Sequence, residues 1–406
     1  MSTVPDDAWK RMIIPVYGPT FLVSIGMGAV YPLVALTAIH LGADVGTAAL
    51  MVGLMGLGQL LGDLPAGAIA QRVGEKRAMT MAGAVDVCAL TVAWFTQSLI
   101  VFACAVLVTG LAAAVFGLAR HTYLTEAVPL HARARALSSL GGIFRVGMFI
   151  GPFISAGLLL IFPIQAAYAF AAVTGVAATA LTLAMPPLPG ADTGSARAAR
   201  PRPRLSQVLW QHRRVLIILG AGVLVLSAVR SARQGLVPLW CEHLGFDAST
   251  SSLIYGISAG VDMLMFLPGG AMMDRFGRVW GVLPALIIVG LGFVLLPLGQ
   301  TPVQVTLLAG LLGLGNGLSS GIILTLGSDN APAHGRSQFL GGWRVAADTG
   351  NTAGPLVISL ITLVAPLAAA SVIIGVVGWL GAGWLAHWIP RFGSPPGHRG
   401  RRSVRQ

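Results

Sequence analysis

Twelve runs of this chain are each long and apolar enough to cross the hydrocarbon core of a bilayer, which takes about 20 residues of helix. They fall at 13–39, 46–70, 78–96, 99–122, 137–161, 165–186, 215–240, 250–273, 280–298, 303–327, 338–363 and 367–389. Lipid offers the backbone no hydrogen bonds, so only helices or closed barrels span it. These runs are too long and too uniformly apolar for barrel strands. The sequence therefore predicts an all-α membrane protein with 12 transmembrane helices. Composition excludes the soluble alternative: 10% of the 406 residues are charged, against about 25% in a soluble domain.

The net charge of +12 would suit nucleic acid only if it formed a patch. Instead, 22 of the 26 Lys and Arg residues fall at alternate ends of the spans, as at Arg72, Lys76 and Arg77 or Arg275 and Arg278. The opposite loops, near 40–46, 97, 163, 241–249, 300 and 365, carry none. Basic residues stay on the cytoplasmic side, so both termini are expected in the cytoplasm, with the chain in the cell membrane. Arginine outnumbers lysine 24 to 2 beside heavy Ala and Gly use, which points to a bacterial source. The terminal HRGRRSVRQ reads as a headgroup anchor, with no nucleic-acid partner. Residues 187–213, containing PPLPGADTGSARAARPRPR, read as a flexible linker. The expected parts are an N-terminal six-helix bundle (1–186), the linker (187–213), a C-terminal six-helix bundle (214–390) and a basic tail (391–406). No cleavable signal peptide is evident, and Cys88 and Cys104, inside apolar runs, read as small packing residues.

The two halves repeat. HLGADVGT (40–47) returns as HLGFDAST (243–250), and LPAGAIAQRVG (64–74) returns as LPGGAMMDRFG (267–277), both at an offset of 203. The same offset pairs Gly110 with Gly313, and Gly147, Gly151 and Pro152 with Gly350, Gly354 and Pro355. Asp44 and Asp247 are placed to cap the helices that follow them. Parallel six-helix repeats joined by an inside linker form a rocking pair with a site between them.

On these residues the chain resembles the major facilitator superfamily over essentially its whole length. The family's loop signature G-x-x-x-D-R-x-G-R is met by Gly270, Asp274, Arg275, Gly277 and Arg278. The first half keeps Gly67, Arg72 and Gly74 but has Gln71 in the Asp position. GMFIGPFISAG (147–157) is similar to the Gly-Pro stretch of the family's drug/proton antiporters, although Ser155 and Ala156 replace its usual Gly pair. The family's fourth-helix arginine is replaced by Val106. The resemblance implies two pseudo-symmetric bundles, helix 2 packed on helix 11 and helix 5 on helix 8. It further implies that Asp274 docks on the start of helix 5 near Ala136, with Gln71 bonding more weakly at helix 11. The Gly-Pro residues are expected at the sliding interface between the halves.

Charge buried in lipid is functional by default. With helix 2 on helix 11 and helix 5 on helix 8, as the resemblance implies, matching depths pair Asp63 with Arg344 and Asp262 with Arg145, and Asp348, four residues after Arg344, competes for it. A carboxylate parted from its arginine as the halves move could take a proton. Arg230 and Arg233 sit toward the outer half of helix 7 with Gln234, and the resemblance implies that helices 1 and 7 line the cavity; Arg230, Gln234, Tyr17, Tyr31, Asn316, Trp343 and Asn351 are the cavity candidates. Arg230 could receive an anionic group of the substrate. Asp86 is expected to make a structural pair with Arg120 or His121. No metal spacing, nucleophile grouping or phosphate loop is present, so neither a cofactor nor enzyme activity is expected. The expected function is secondary active transport of a small molecule by a monomer, with proton-coupled efflux as the first reading. Proton-coupled uptake of a small polar or anionic metabolite is the alternative, and a non-transporting membrane sensor is the reading from another class.

Overall fold

The computed structural model describes residues 13–128, 132–185, 205–332 and 335–392. The linker stretch 187–204 and the tail beyond Phe392 lie outside them. All regular structure among the described residues is helical. The first half contains α1a (Ile13–Val30), α1b (Leu33–His40), α2 (Val45–Val73), α3 (Glu75–Phe95), α4 (Leu99–Ala127), α5 (Arg133–Leu159) and α6 (Ala166–Leu183). After a short helix, Leu205–Gln211, come α7 (Arg213–His243), α8 (Ala248–Phe276), α9 (Arg278–Leu295), α10a (Pro302–Leu318), α10b (Ile322–Asn330), α11 (Arg336–Thr362) and α12 (Leu367–Phe392).

Ten of these segments meet the length and hydropathy of a membrane span outright, and an eleventh does if α1a and α1b count as one bent span. The expected twelfth, α11, has the length at 27 residues. It falls short in hydropathy because it carries Arg344, Asp348 and Asn351 and lies between α7 and α2 rather than against lipid.

Two spans break, each in one half only. Between α1a and α1b, Tyr31 and Pro32 bend the path by 44°, because proline cannot continue the hydrogen-bond ladder. Its counterpart 203 residues on is Gly235, and α7 runs unbroken. Between α10a and α10b, Gly321 takes a φ of +83°, which an L side chain rarely adopts. Its counterpart Leu118 could not do so easily, and α4 continues.

Packing follows the sequence repeat. In the first half α2 packs on α4, α1a on α5 and α6, and α3 on α4 and α6. In the second half α8 packs on α10a, α7 on α11 and α12, and α9 on α10a and α12. The main contacts across the halves are α2 with α11 and α5 with α8. Glycines carry this symmetry into atomic detail. Gly53 of α2 seats Leu356 of α11, and Gly256 of α8 seats Phe153 of α5; both members of the second pair lie 203 residues from their counterparts. At the turns, the Asp44 side chain accepts from Thr47 N at 2.8 Å and Asp247 accepts from Thr250 N at 2.6 Å, so both expected caps form. Hydrogen bonds from Thr47 hold the Asp44 carboxyl below the ordinary carboxylate range. That cap is therefore intact at neutral pH and is lost as the pH falls through the lowered value.

The Gly-Pro residues do something other than the expected sliding between halves. A Cβ on Gly151 would overlap the α1a backbone at Ile25 and Ala29, and one on Gly354 would overlap the α7 backbone at Ala228 and Ala232. Gly147 and Gly350 similarly abut Ser24 and Ser227. These glycines, with Pro152 and Pro355 beside them, fix α5 on α1a and α11 on α7 inside each half. Gly151→Leu is expected to cost about 3 kcal/mol or more, since the obstruction is backbone that cannot move aside. Gly142→Ala, with no atom within 4 Å of the added methyl, is expected to match the parent. Thermal melting of the two purified variants decides this.

Candidate functional site

The described residues divide into a basic end of the bundle, with Arg72, Arg77, Arg213, Arg275 and Arg278, and a far end at the α1b–α2 and α7–α8 turns. At the far end the halves meet. Ser249 Oγ donates to Ala156 O at 2.8 Å, Gly46 lies against Ser359 and Thr362, and Gly235 stands beside Val52 and Ile358. At the basic end they stand apart. Asp274 does not reach the start of α5: its side chain is 81% exposed and it accepts from Arg278 at 3.1 Å. Arg278 also binds Asp329 at 2.9 Å. Gln71 and Arg72 are exposed, so the expected latch is undone on both sides. Gly74 and Gly277, with φ of 85° and 98°, close the α2–α3 and α8–α9 turns, and Gly67 and Gly270 precede them on α2 and α8. The seam is closed at the far end and open at the basic end.

Both expected cross-half pairs form. On the α2/α11 side, Arg344 Nη2 donates to Asp63 Oδ1 at 2.7 Å, and Arg344 Nε donates to Asp348 Oδ2 at 3.3 Å. Arg344 is 48% exposed, whereas Asp63 and Asp348 are 15% and 17% exposed. One guanidinium thus serves two carboxylates at the open mouth.

The α5/α8 side is deeper and richer. Asp262 accepts from Arg145 Nη1 at 2.9 Å and from Arg233 Nη2 at 3.4 Å. Asn316 Nδ2 donates to Asp262 Oδ2, and Arg230 Nε donates to Asn316 Oδ1 at 2.7 Å. Arg145 Nη2 donates to Ser320 Oγ, and Arg233 Nη1 to Ser258 Oγ, each at 2.8 Å. Arg145 also lies over the Phe266 ring at 4.5 Å, and Arg233 over Tyr255 at 5.5 Å. The break in α10 supplies part of this: Ser320 belongs to the turn between α10a and α10b.

Sequence reasoning placed Arg230 in the outer half of its helix. In the structure it lies just past the midpoint of α7 (Arg213–His243), on the His243 side. The role of Arg233 on Asp262 was missed; the signal was its i, i+3 spacing from Arg230, which puts both on one helix face. Ser258 and Ser320 were missed too, Ser320 because its helix break is not evident from hydropathy.

Other candidates fall elsewhere. Trp343 is buried, donates to Ile323 O at 2.7 Å and stacks on Phe339, so it is a packing residue inside the second half. Tyr17 donates to Ala136 O at 3.1 Å within the first half. Tyr31 is buried and hydrogen-bonds Gln59. The Asn351 carbonyl faces Gly56 across the α2/α11 seam, and Gln234 is half-buried on α7. Asp86 meets Thr109 rather than Arg120 or His121. It lies mid-way along α3, opposite mid-α4, and Arg120 is about 16 Å further along α4 at 1.5 Å per residue. Cys88 and Cys104 are exposed on the outside of the bundle rather than packed within it.

Two repeated helical halves, a polar seam between them and one mouth open define a membrane transporter rather than an enzyme. The chain belongs to the Major Facilitator Superfamily, whose family model matches residues 19–355 and again 235–405. Among solved structures, the nucleoside transporter NupG is similar with a TM-score of 0.73 at 14% identity, over 93% of this chain and 99% of that one. An auto-inhibited POT family peptide transporter is similar with a TM-score of 0.75 at 14% identity, over 96% and 98%. No curated protein matches the sequence.

Proposed function

We propose that the chain is a proton-coupled secondary transporter working by alternating access in the cell membrane. Bundles 1–186 and 214–390 rock about the α2/α11 and α5/α8 seams, and the basic end is the cytoplasmic one. The observation that carries the coupling is Arg344 shared between Asp63 of the other bundle and Asp348 of its own. Two carboxylates on one guanidinium leave one negative charge over, at a mouth that water reaches. Rocking changes the distance between α2 and α11 here, so Asp63 exchanges its arginine for a proton as the mouth changes state.

Uptake of a small polar or anionic solute with protons fits the seam better than export of a hydrophobic compound. Guanidinium, amide and hydroxyl groups line the α5/α8 side. In the stretch that argued for export, Gly147 and Gly151 pack α5 on α1a, while Phe149 and Phe153 face α8 across the seam. The test is flux into liposomes holding the purified protein, across an imposed pH gradient, with a panel of labelled polar solutes. Accumulation only when the outside is acid is the expected result. Indifference to the gradient, or expulsion of the solute, contradicts the reading, and binding without movement favours a sensor.

A further inference from the structure

We infer that the α5/α7/α8/α10 cluster is the binding site for a compact dianion, the phosphate group of a phosphorylated metabolite. The inference rests on the transport reading above and names its substrate class. Arg145, Arg230 and Arg233 face a single acid, Asp262, so the cluster carries two positive charges more than it neutralises. Among the described residues, no charged group beyond these four acts on Arg230. The neighbouring groups are neutral: Asn316, Ser258, Ser320, Tyr255 and Phe266. Unneutralised charge at the depth of a bilayer is costly, and a phosphate monoester carries about −1.5 to −2 at neutral pH.

Donor capacity agrees with the charge count. Arg233 is 9% exposed, and its Nε has no hydrogen-bond partner. Among the described residues, Arg230 bonds only through Nε, to Asn316, and neither terminal nitrogen has a partner. These guanidiniums come from both halves, Arg145 on α5 and the other two on α7. An oxyanion accepting their planar, paired donors would bridge the bundles, which is how a substrate biases rocking. Asp262 holds Arg145 and Arg233 in place while the site is empty.

The test is equilibrium binding to the full chain in detergent, with inorganic phosphate, glucose 6-phosphate and glucose as probes. The wild type is expected to bind glucose 6-phosphate and not glucose. Binding of inorganic phosphate as well would show that the anion alone suffices, and its failure to bind would show that the sugar contributes. Arg230→Gln is expected to weaken binding about 10–100-fold with unchanged melting, because Asp262 keeps both its arginines. Arg230→Lys, retaining charge without the fork, should recover part of the loss. Failure of both phosphates to bind the wild type, or equal binding by Arg230→Gln, overturns the inference. Acid-driven flux of uncharged solutes with no phosphate binding would sink the anion site alone. Phosphate binding lost in Arg230→Gln beside gradient-indifferent flux would sink the coupling alone.

Discussion

Asp63→Asn is expected to reduce acid-driven accumulation to the level of empty liposomes while leaving the protein folded. Asparagine keeps the shape of the side chain and an oxygen to accept from Arg344 Nη2, but it cannot hold a proton. Arg344 is half exposed and retains Asp348 at 3.3 Å, so the lost ion pair should cost less than about 1 kcal/mol. Energetic coupling and folding therefore separate in this variant. Downhill exchange of labelled solute, which needs no gradient, should persist. Asp348→Asn provides the comparison, since it removes the competing acid and leaves the cross-half pair. Wild-type accumulation in Asp63→Asn would remove that residue from the mechanism.

Asp262→Ala should be the most damaging single change to stability. Asp262 is 12% exposed and anchors Arg145 and Arg233 directly, with Arg230 joined through Asn316. Removing it leaves guanidiniums facing one another in a low-dielectric seam, at a cost of about 3–5 kcal/mol. A second change, Arg145→Leu, should recover part of that loss, because Phe266 beneath Arg145 offers an apolar surface to a leucine. Recovery should be incomplete while Arg233 stays uncompensated. Melting of the single and double variants measures this, and additive losses would show that Arg145 and Asp262 do not act on each other.

Much of this architecture is written in the sequence in a form that physics makes legible. Spans show because lipid forbids uncovered backbone, and the halves show because Gly53, Asp44 and Gly151 recur at a fixed offset. Depth along the spans, once the family resemblance implies which helices pack across the halves, is enough to match Asp63 with Arg344 and Asp262 with Arg145. What depth cannot give is the rotation of each helix about its axis. Arg233 turns toward Asp262, Trp343 turns into its own half, and Gly151 turns toward α1a rather than toward the seam. Nor does a sequence state which mouth is open. Asp274 carries the right chemistry to dock on α5, yet it folds back on Arg278 because the basic end stands apart in this state.

Rocking of the halves is the claim on which the rest depends, and two spin-label distances test it. With Cys88, Cys104 and Cys241 replaced, one sample carries labels at His40 and His243 on the far end, and another at Gln71 and Asp274 on the basic end. All four positions are exposed, and the members of each pair are repeat counterparts. On moving from the substrate-free protein at neutral pH to acid with glucose 6-phosphate present, the 71–274 distance should shorten as the 40–243 distance lengthens. Distances that change in the same direction, or do not change, would contradict it.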